Sequence, residues 1–187
     1  KFVSGEGEDP ALLNPETGWD AVRAAIKGVY TEDTEPMSFE SDDAKTWVDV
    51  YDCRNNWLYV SSGLSAMGVV AEADSIGGEY ILTLKKKNSQ DEDDLQIFSV
   101  LNLVREAIAK SQNDKAMMAD YSYIAGEQGG LIVVPETKIS AVCAPTGEIM
   151  LKKLIYITDV ELKALEAGSL DVQALYKKLG DVSCYGR

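Results

Sequence analysis

Residues 47–60 read Trp47-Val48-Asp49-Val50-Tyr51-Asp52-Cys53-Arg54-Asn55-Asn56-Trp57-Leu58-Tyr59-Val60, and the fold class is decided by how this stretch is read. Apolar and polar residues alternate over 47–51 with the two-residue period of a strand. Asn55-Asn56 marks a turn, and 57–60 is the returning strand. A further strand is predicted at 79–84, opened by Gly77-Gly78 and closed by Lys85-Lys86-Lys87. Three lysines at a strand end read as a solvated edge that discourages sheet-to-sheet association.

Working outward, an upstream helix starts with Pro15 near its first position, or with Thr17 as N-cap and Asp20 three residues on. Trp19, Val22, Ile26, Val29 and Tyr30 form its apolar stripe. Downstream, 91–110 is the strongest helix. Asp91, Glu92, Asp93 and Asp94 suit its positive N-terminal pole, and Arg105 and Lys110 suit the other end. Its expected buried stripe is Leu95, Phe98, Leu101, Val104 and Ile108, widened by Leu103 and Ala107. Residues 111–129, polar and punctuated by glycine, read as a long loop.

Residues 131–134 are a continuous apolar run before Pro135, as in a buried strand, and 138–144 and 148–157 are strands about the turn Pro145-Thr146-Gly147. Thr158-Asp159-Val160-Glu161 is a capping box. The helix it starts runs to Gly168, and Ser169 is expected to cap a last helix with Leu175 and Leu179 inward, stopped by Gly180. Strands occur in runs rather than in strict alternation with helices. The expected fold is therefore α+β: a single domain over 15–187, with a mixed, mostly antiparallel sheet covered by helices. Residues 1–14 are expected to be a flexible lead-in.

Composition narrows the function. The chain has 187 residues and a net charge of −13, the wrong sign for displacing counterions from nucleic acid or binding anionic lipid. No run reaches the roughly 20 apolar residues of a membrane span. Three cysteines, Cys53, Cys143 and Cys184, do not form a dense paired framework, which points to a reducing, cytoplasmic setting. Cys53 and Cys143 read as small core residues in strands. Histidine is absent, which removes Ser-His-Asp and Cys-His catalysis and the commonest zinc ligand sets. Neither a phosphate-binding loop nor a nucleophile elbow is present.

The motifs resemble those of the suppressor-of-fused (SUFU) domain family. The resemblance is carried by Gly18-Trp19-Asp20-Ala21, Glu35-Pro36, Trp57-Leu58-Tyr59-Val60-Ser61-Ser62-Gly63-Leu64-Ser65, Gly78-Glu79-Tyr80-Ile81-Leu82-Thr83-Leu84-Lys85 and 146–162, in the family's order. It spans about residues 16–180. Leu58, Ala66, Lys85 and Lys153 depart from the family pattern, so a specificity inferred from relatives need not transfer. The resemblance implies a non-catalytic binding role without a cofactor or metal. Large animal members bind Gli-type transcription factors. The size here is similar to that of the bacterial single-domain members, which implies an immunity-type protein neutralising a cognate toxin.

Candidate partner-binding residues come from two places. The 31–45 stretch is the most acidic of the chain, a loop or weak edge segment, and its Glu32, Asp33, Asp42 and Asp43 would face a basic toxin. The resemblance adds Met67, Glu72 and Asp74 in the segment after Gly63-Leu64-Ser65, where animal relatives place part of their ligand surface. Two alternatives stand beside immunity: a regulatory scaffold binding an endogenous protein or peptide, and a metal-dependent hydrolase using a carboxylate pair. The helix N-terminus already accounts for the densest acidic cluster, 91–94. The oligomeric state is open.

Overall fold

The computed structural model describes residues 15–32, 34–42, 44–66, 77–139, 141–145 and 147–187. Its spine is β8 (Gly147–Ile157), an eleven-residue strand buried along most of its length. One edge of β8 carries β4 (Gly77–Lys85) in parallel, from Gly77↔Ile149 to Ile81↔Lys153. The other edge carries β7 (Val142–Ala144) and then β6 (Gly129–Pro135), both antiparallel. Outward from β4 lie β3 (Asn56–Ser62), β2 (Trp47–Asp52) and β1 (Met37–Glu40), and outward from β6 lies β5 (Ser122–Gly126). Among the described residues this makes one eight-stranded sheet: seven strands in the order β1-β2-β3-β4-β8-β6-β5, with β7 off this path on β8, antiparallel except at β4–β8.

Alternation along the strands sends side chains to opposite faces. One face sets Val48, Val50, Tyr59, Tyr80, Leu82, Val133 and Leu154 against α2 (Gln90–Asn113). The other face is covered in two parts. Tyr51, Leu58, Val60, Ile81 and Leu151 pack on Val22 and Ile26 of α1 (Pro15–Ile26). Ile132, Val134, Ile155 and Ile157 pack on α3 (Asp159–Glu166) and α4 (Val172–Leu179). The Thr158–Glu161 capping box forms as read. The last helix is capped by Asp171, not Ser169, because the Asp171 carboxylate accepts the Ala174 N–H at 2.8 Å.

Several expectations need correcting. β4 is an interior strand, so Lys85-Lys86-Lys87 ends a strand flanked on both sides and is not a sheet edge. Lys86 lies over the Trp57 ring and pairs with Asp52, and Lys87 donates its backbone N–H to Asp93. The supposed loop 111–129 contains a short 3-10 turn (Lys115–Met118) and strand β5. Cys143 is exposed and Cys53 half-buried beyond the end of β2; all three cysteines are free thiols. Val29 lies past the end of α1 and is exposed. The expected lead-in, 1–14, lies outside the described residues.

The largest correction concerns α2. Leu95 is 71% and Phe98 56% exposed, and Ile97 and Val100 are buried in their place. A polar clamp turns the helix. The Asp93 carboxylate accepts the Lys87 N–H and the Gln96 side-chain N–H, both at 2.6 Å, and Gln96 also donates to the Lys85 carbonyl. The Tyr59 hydroxyl donates to the Ile97 carbonyl at 3.0 Å. With 93, 96, 97 and 100 held inward, 95 and 98 must point out, since residues three and four apart share a face.

Candidate functional site: a groove between the first strand and the long helix

β1 is a terminal strand, with β2 on one side and no strand on the other among the described residues. Pro36 immediately before it suits an edge. Beside β1 runs the face of α2 that the clamp leaves outside, and a groove of about 380 Å³ lies between them. Val48 and Ile108 are its apolar floor; Phe39, Trp47 and Ala109 are its walls. The Phe39 and Phe98 rings meet edge to face at 6.2 Å, extending the apolar surface toward Leu95. Asp42 and Glu106 stand on the lining with Arg105. Arg105 donates to the Glu40 carbonyl at 2.9 Å, while its Nε is buried with no hydrogen-bond partner among the described residues.

One wall is stiffened from the opposite side of the sheet. Trp47 stacks on Trp19 of α1 with centroids 5.0 Å apart, and the Arg23 guanidinium lies 4.3 Å over the Trp19 ring. The buried Asp49 carboxylate gathers Arg23 at 2.8 Å, the Trp19 indole N–H at 3.2 Å and the Ser38 hydroxyl of β1. Burial works against the Arg23 charge, but the hydrogen bond and charge of Asp49 outweigh it and hold the guanidinium pKa above its usual value. The Gly18-Trp19-Asp20-Ala21 motif is thus tied to β1 and β2 through Asp49.

The Gly63-Leu64-Ser65 motif has a different job. Glu79, buried on β4, accepts the Gly63 N–H, the Ser65 N–H and the Ser65 hydroxyl on one oxygen at 2.8–2.9 Å, and the Ser61 hydroxyl on the other at 2.6 Å. Burial pushes its pKa up, and these hydrogen bonds oppose the shift without cancelling it. Gly63 has φ +106°, and a Cβ there would stand 2.3 Å from the Lys45 carbonyl. The motif is therefore a turn held around a buried carboxylate.

Of the residues singled out from the sequence, Asp42 lies in the groove. Glu32 lines a separate polar cleft with Cys53, Arg54 and Lys86. The two clefts are at opposite ends of β2, which its five-residue rise sets roughly 16 Å apart, so Glu32 and Asp42 do not form one patch. Asp33, Asp43, Met67, Glu72 and Asp74 lie outside the described residues. Phe39, Phe98 and Arg105 are not among the site residues expected from the sequence, which places Phe98 in the buried stripe of α2 and Arg105 at its C-terminal pole. The signal that was available is the pair Asp93 and Gln96 in the first turns of α2, which makes a Leu95–Phe98 core stripe compete with an Ile97–Val100 one.

An open, mostly antiparallel sheet with one long helix on one face and three short ones on the other is the α+β fold of Suppressor of Fused. The chain superposes on a crystal structure of the Sufu–Fu complex with a TM-score of 0.62, at 14% identity over 93% of this chain and 92% of that one. It matches Drosophila Suppressor of Fused with a TM-score of 0.57 at 16% identity, all of this chain aligning with 53% of that one. At these identities the likeness is one of fold. No family model and no curated protein matches the sequence.

Proposed function

We propose that the chain is a non-catalytic protein-binding domain that takes an extended, basic segment of a partner in the groove between β1 and α2. The groove itself carries this reading. It combines an apolar floor, two aromatic rings left partly in solvent, acids on its lining and a strand edge alongside. An edge strand offers main-chain hydrogen bonds to an extended chain, and an adjacent pocket selects one anchoring side chain. Charge complementarity sets the partner's sign: Asp42, Glu106 and a net charge of −13 attract Lys and Arg and speed encounter.

Within that class, an immunity-type role in the cytoplasm, neutralising a basic toxin, is supported by the acidic balance and by the resemblance to single-domain bacterial members. A regulatory scaffold for an endogenous protein is supported by the neighbouring structure being a complex of Sufu with Fu. The experiment is to pan a library of extended peptides on the wild-type chain and on Phe98→Asp. Peptides joining an aromatic or aliphatic residue to Lys or Arg should enrich on the wild type alone. Equal enrichment on both would refute the groove. Co-expression with toxins encoded beside its gene separates the two roles: protection supports immunity, and its absence supports the scaffold.

A further inference from the structure

β4 and β8 run side by side only as far as Ile81 and Lys153, and then part. The opening is filled by residues 181–187, which follow α4. Ser183 is fully buried within it. Its N–H donates to the Thr83 carbonyl at 2.8 Å and its carbonyl accepts the Lys85 N–H at 2.9 Å, a one-residue parallel bridge to β4. On the other side its hydroxyl accepts the Tyr156 N–H of β8 at 2.9 Å. One residue thus satisfies two strands, by backbone on one flank and by side chain on the other.

The neighbours of Ser183 continue the pattern. Asp181 pairs with Lys153 at 3.2 Å and accepts the Tyr176 hydroxyl. The Tyr185 ring packs on Tyr156 at 4.9 Å, and its carbonyl accepts Lys87 Nζ at 2.7 Å. Arg187 donates to the Tyr156 carbonyl at 3.2 Å and to Glu161 at 2.6 Å. Ser183, Tyr185 and Arg187 therefore all converge on Tyr156. Val182 is exposed and Cys184 half-buried, so Tyr185 is the main apolar anchor of the segment. A segment held chiefly by polar contacts opens before the apolar sheet beneath it does.

We propose that the parting of β4 and β8 is a strand-accepting slot, filled in cis by residues 181–187 and able to take in trans an extended segment of the same chemistry. That chemistry is a small hydroxyl residue, an aromatic residue two positions on and a cation two beyond. When the segment leaves, the Thr83 carbonyl, the Lys85 and Tyr156 N–H groups and the Tyr156 carbonyl lose their partners between two interior strands. Buried backbone groups demand such partners, and another extended chain supplies them in the same register. The slot is independent of the β1–α2 groove, whose Phe98→Asp variant leaves it untouched.

Inserting a protease site after Gly180, where α4 ends at φ +73°, allows the folded chain to be cut there. The probe is a fluorescent peptide with the sequence of residues 181–187. The cut chain should bind it saturably, and a peptide carrying S183A should bind at least tenfold more weakly, because the Tyr156 N–H loses its acceptor. In the uncut chain, the Lys85, Tyr156 and Ser183 amides should exchange hydrogen together and faster than those of Ile81 and Leu154. If the cut chain binds no peptide, or the three amides exchange only with the core, the slot does not open and the proposal is overturned.

Discussion

Replacing Glu79 separates a carboxylate that organises a turn from one that is merely buried. In Glu79→Ala, the Gly63 and Ser65 N–H groups lose their acceptor and cannot rotate to another, whereas the two serine hydroxyls can. Each buried donor left without a partner costs roughly 1–3 kcal/mol, so the variant should lose about 2–6 kcal/mol. Glu79→Gln keeps the oxygen that takes three of the four hydrogen bonds, and it removes the cost of burying a charge. It should lie within about 1 kcal/mol of wild type. The assay is urea unfolding followed by tryptophan fluorescence, repeated across pH. Because the folded pKa of Glu79 is raised, the folded state binds the extra proton. Its contribution is greatest below the unfolded pKa and is lost as pH rises through the folded one. The stability of wild type relative to Glu79→Gln should therefore fall over that window. Equal losses in the two variants would refute the assigned hydrogen bonds, and a flat difference curve would refute the sign of the shift.

Other outcomes follow from the same geometry. Phe98→Asp, at an exposed position, should change stability by no more than about 0.5 kcal/mol while abolishing groove-dependent peptide capture, measured by denaturation and by binding. Asp42→Lys should slow association with a basic groove ligand several-fold at low salt and little at high salt, whereas Glu32→Lys at the far end of β2 should not; stopped-flow on-rates test this. Arg23→Ala strips the buried Asp49 of its cation and should cost about 2–3 kcal/mol, below the full cost for a fully buried pair because Arg23 is partly exposed. The Tyr51 phenol, pushed up to about 12 by burial and by Asp49, should stay protonated past pH 10 in phenolate absorbance, and stability should fall as pH rises from 10 toward 12.

What the sequence discloses here is mostly local. The Thr158–Glu161 box, the acidic first turn of α2 and the 47–60 hairpin each rest on contacts within a few residues, and all three form. The misreadings share another cause. Leu95 and Phe98 look inward by period alone; the helix is turned by the Lys87 N–H in the turn just before it, by the Lys85 carbonyl at the end of β4 and by Tyr59 of β3. β5 is a five-residue strand stabilised by pairing with β6, so its own pattern says little. The groove joins Phe39, Trp47 and Arg105, with Phe98 packed on Phe39 beside it, and no spacing rule connects them until the sheet order is known. The charge run was legible as charge, but not as two clefts separated by the length of β2.

The late position of β8 in the chain has a consequence for biosynthesis. β4 is translated about 70 residues before β8 is complete, and at ~5–20 residues per second that interval lasts about 4–14 s. Throughout it, the β1–β4 meander carries an open edge of unpaired backbone N–H and C=O groups on β4, with no cognate strand yet made. The nascent chain is therefore most exposed to mispairing and most in need of a chaperone before Ile157 is translated. A ribosome stalled just short of that codon should display a protease-sensitive chain, and one stalled well beyond it a protected chain.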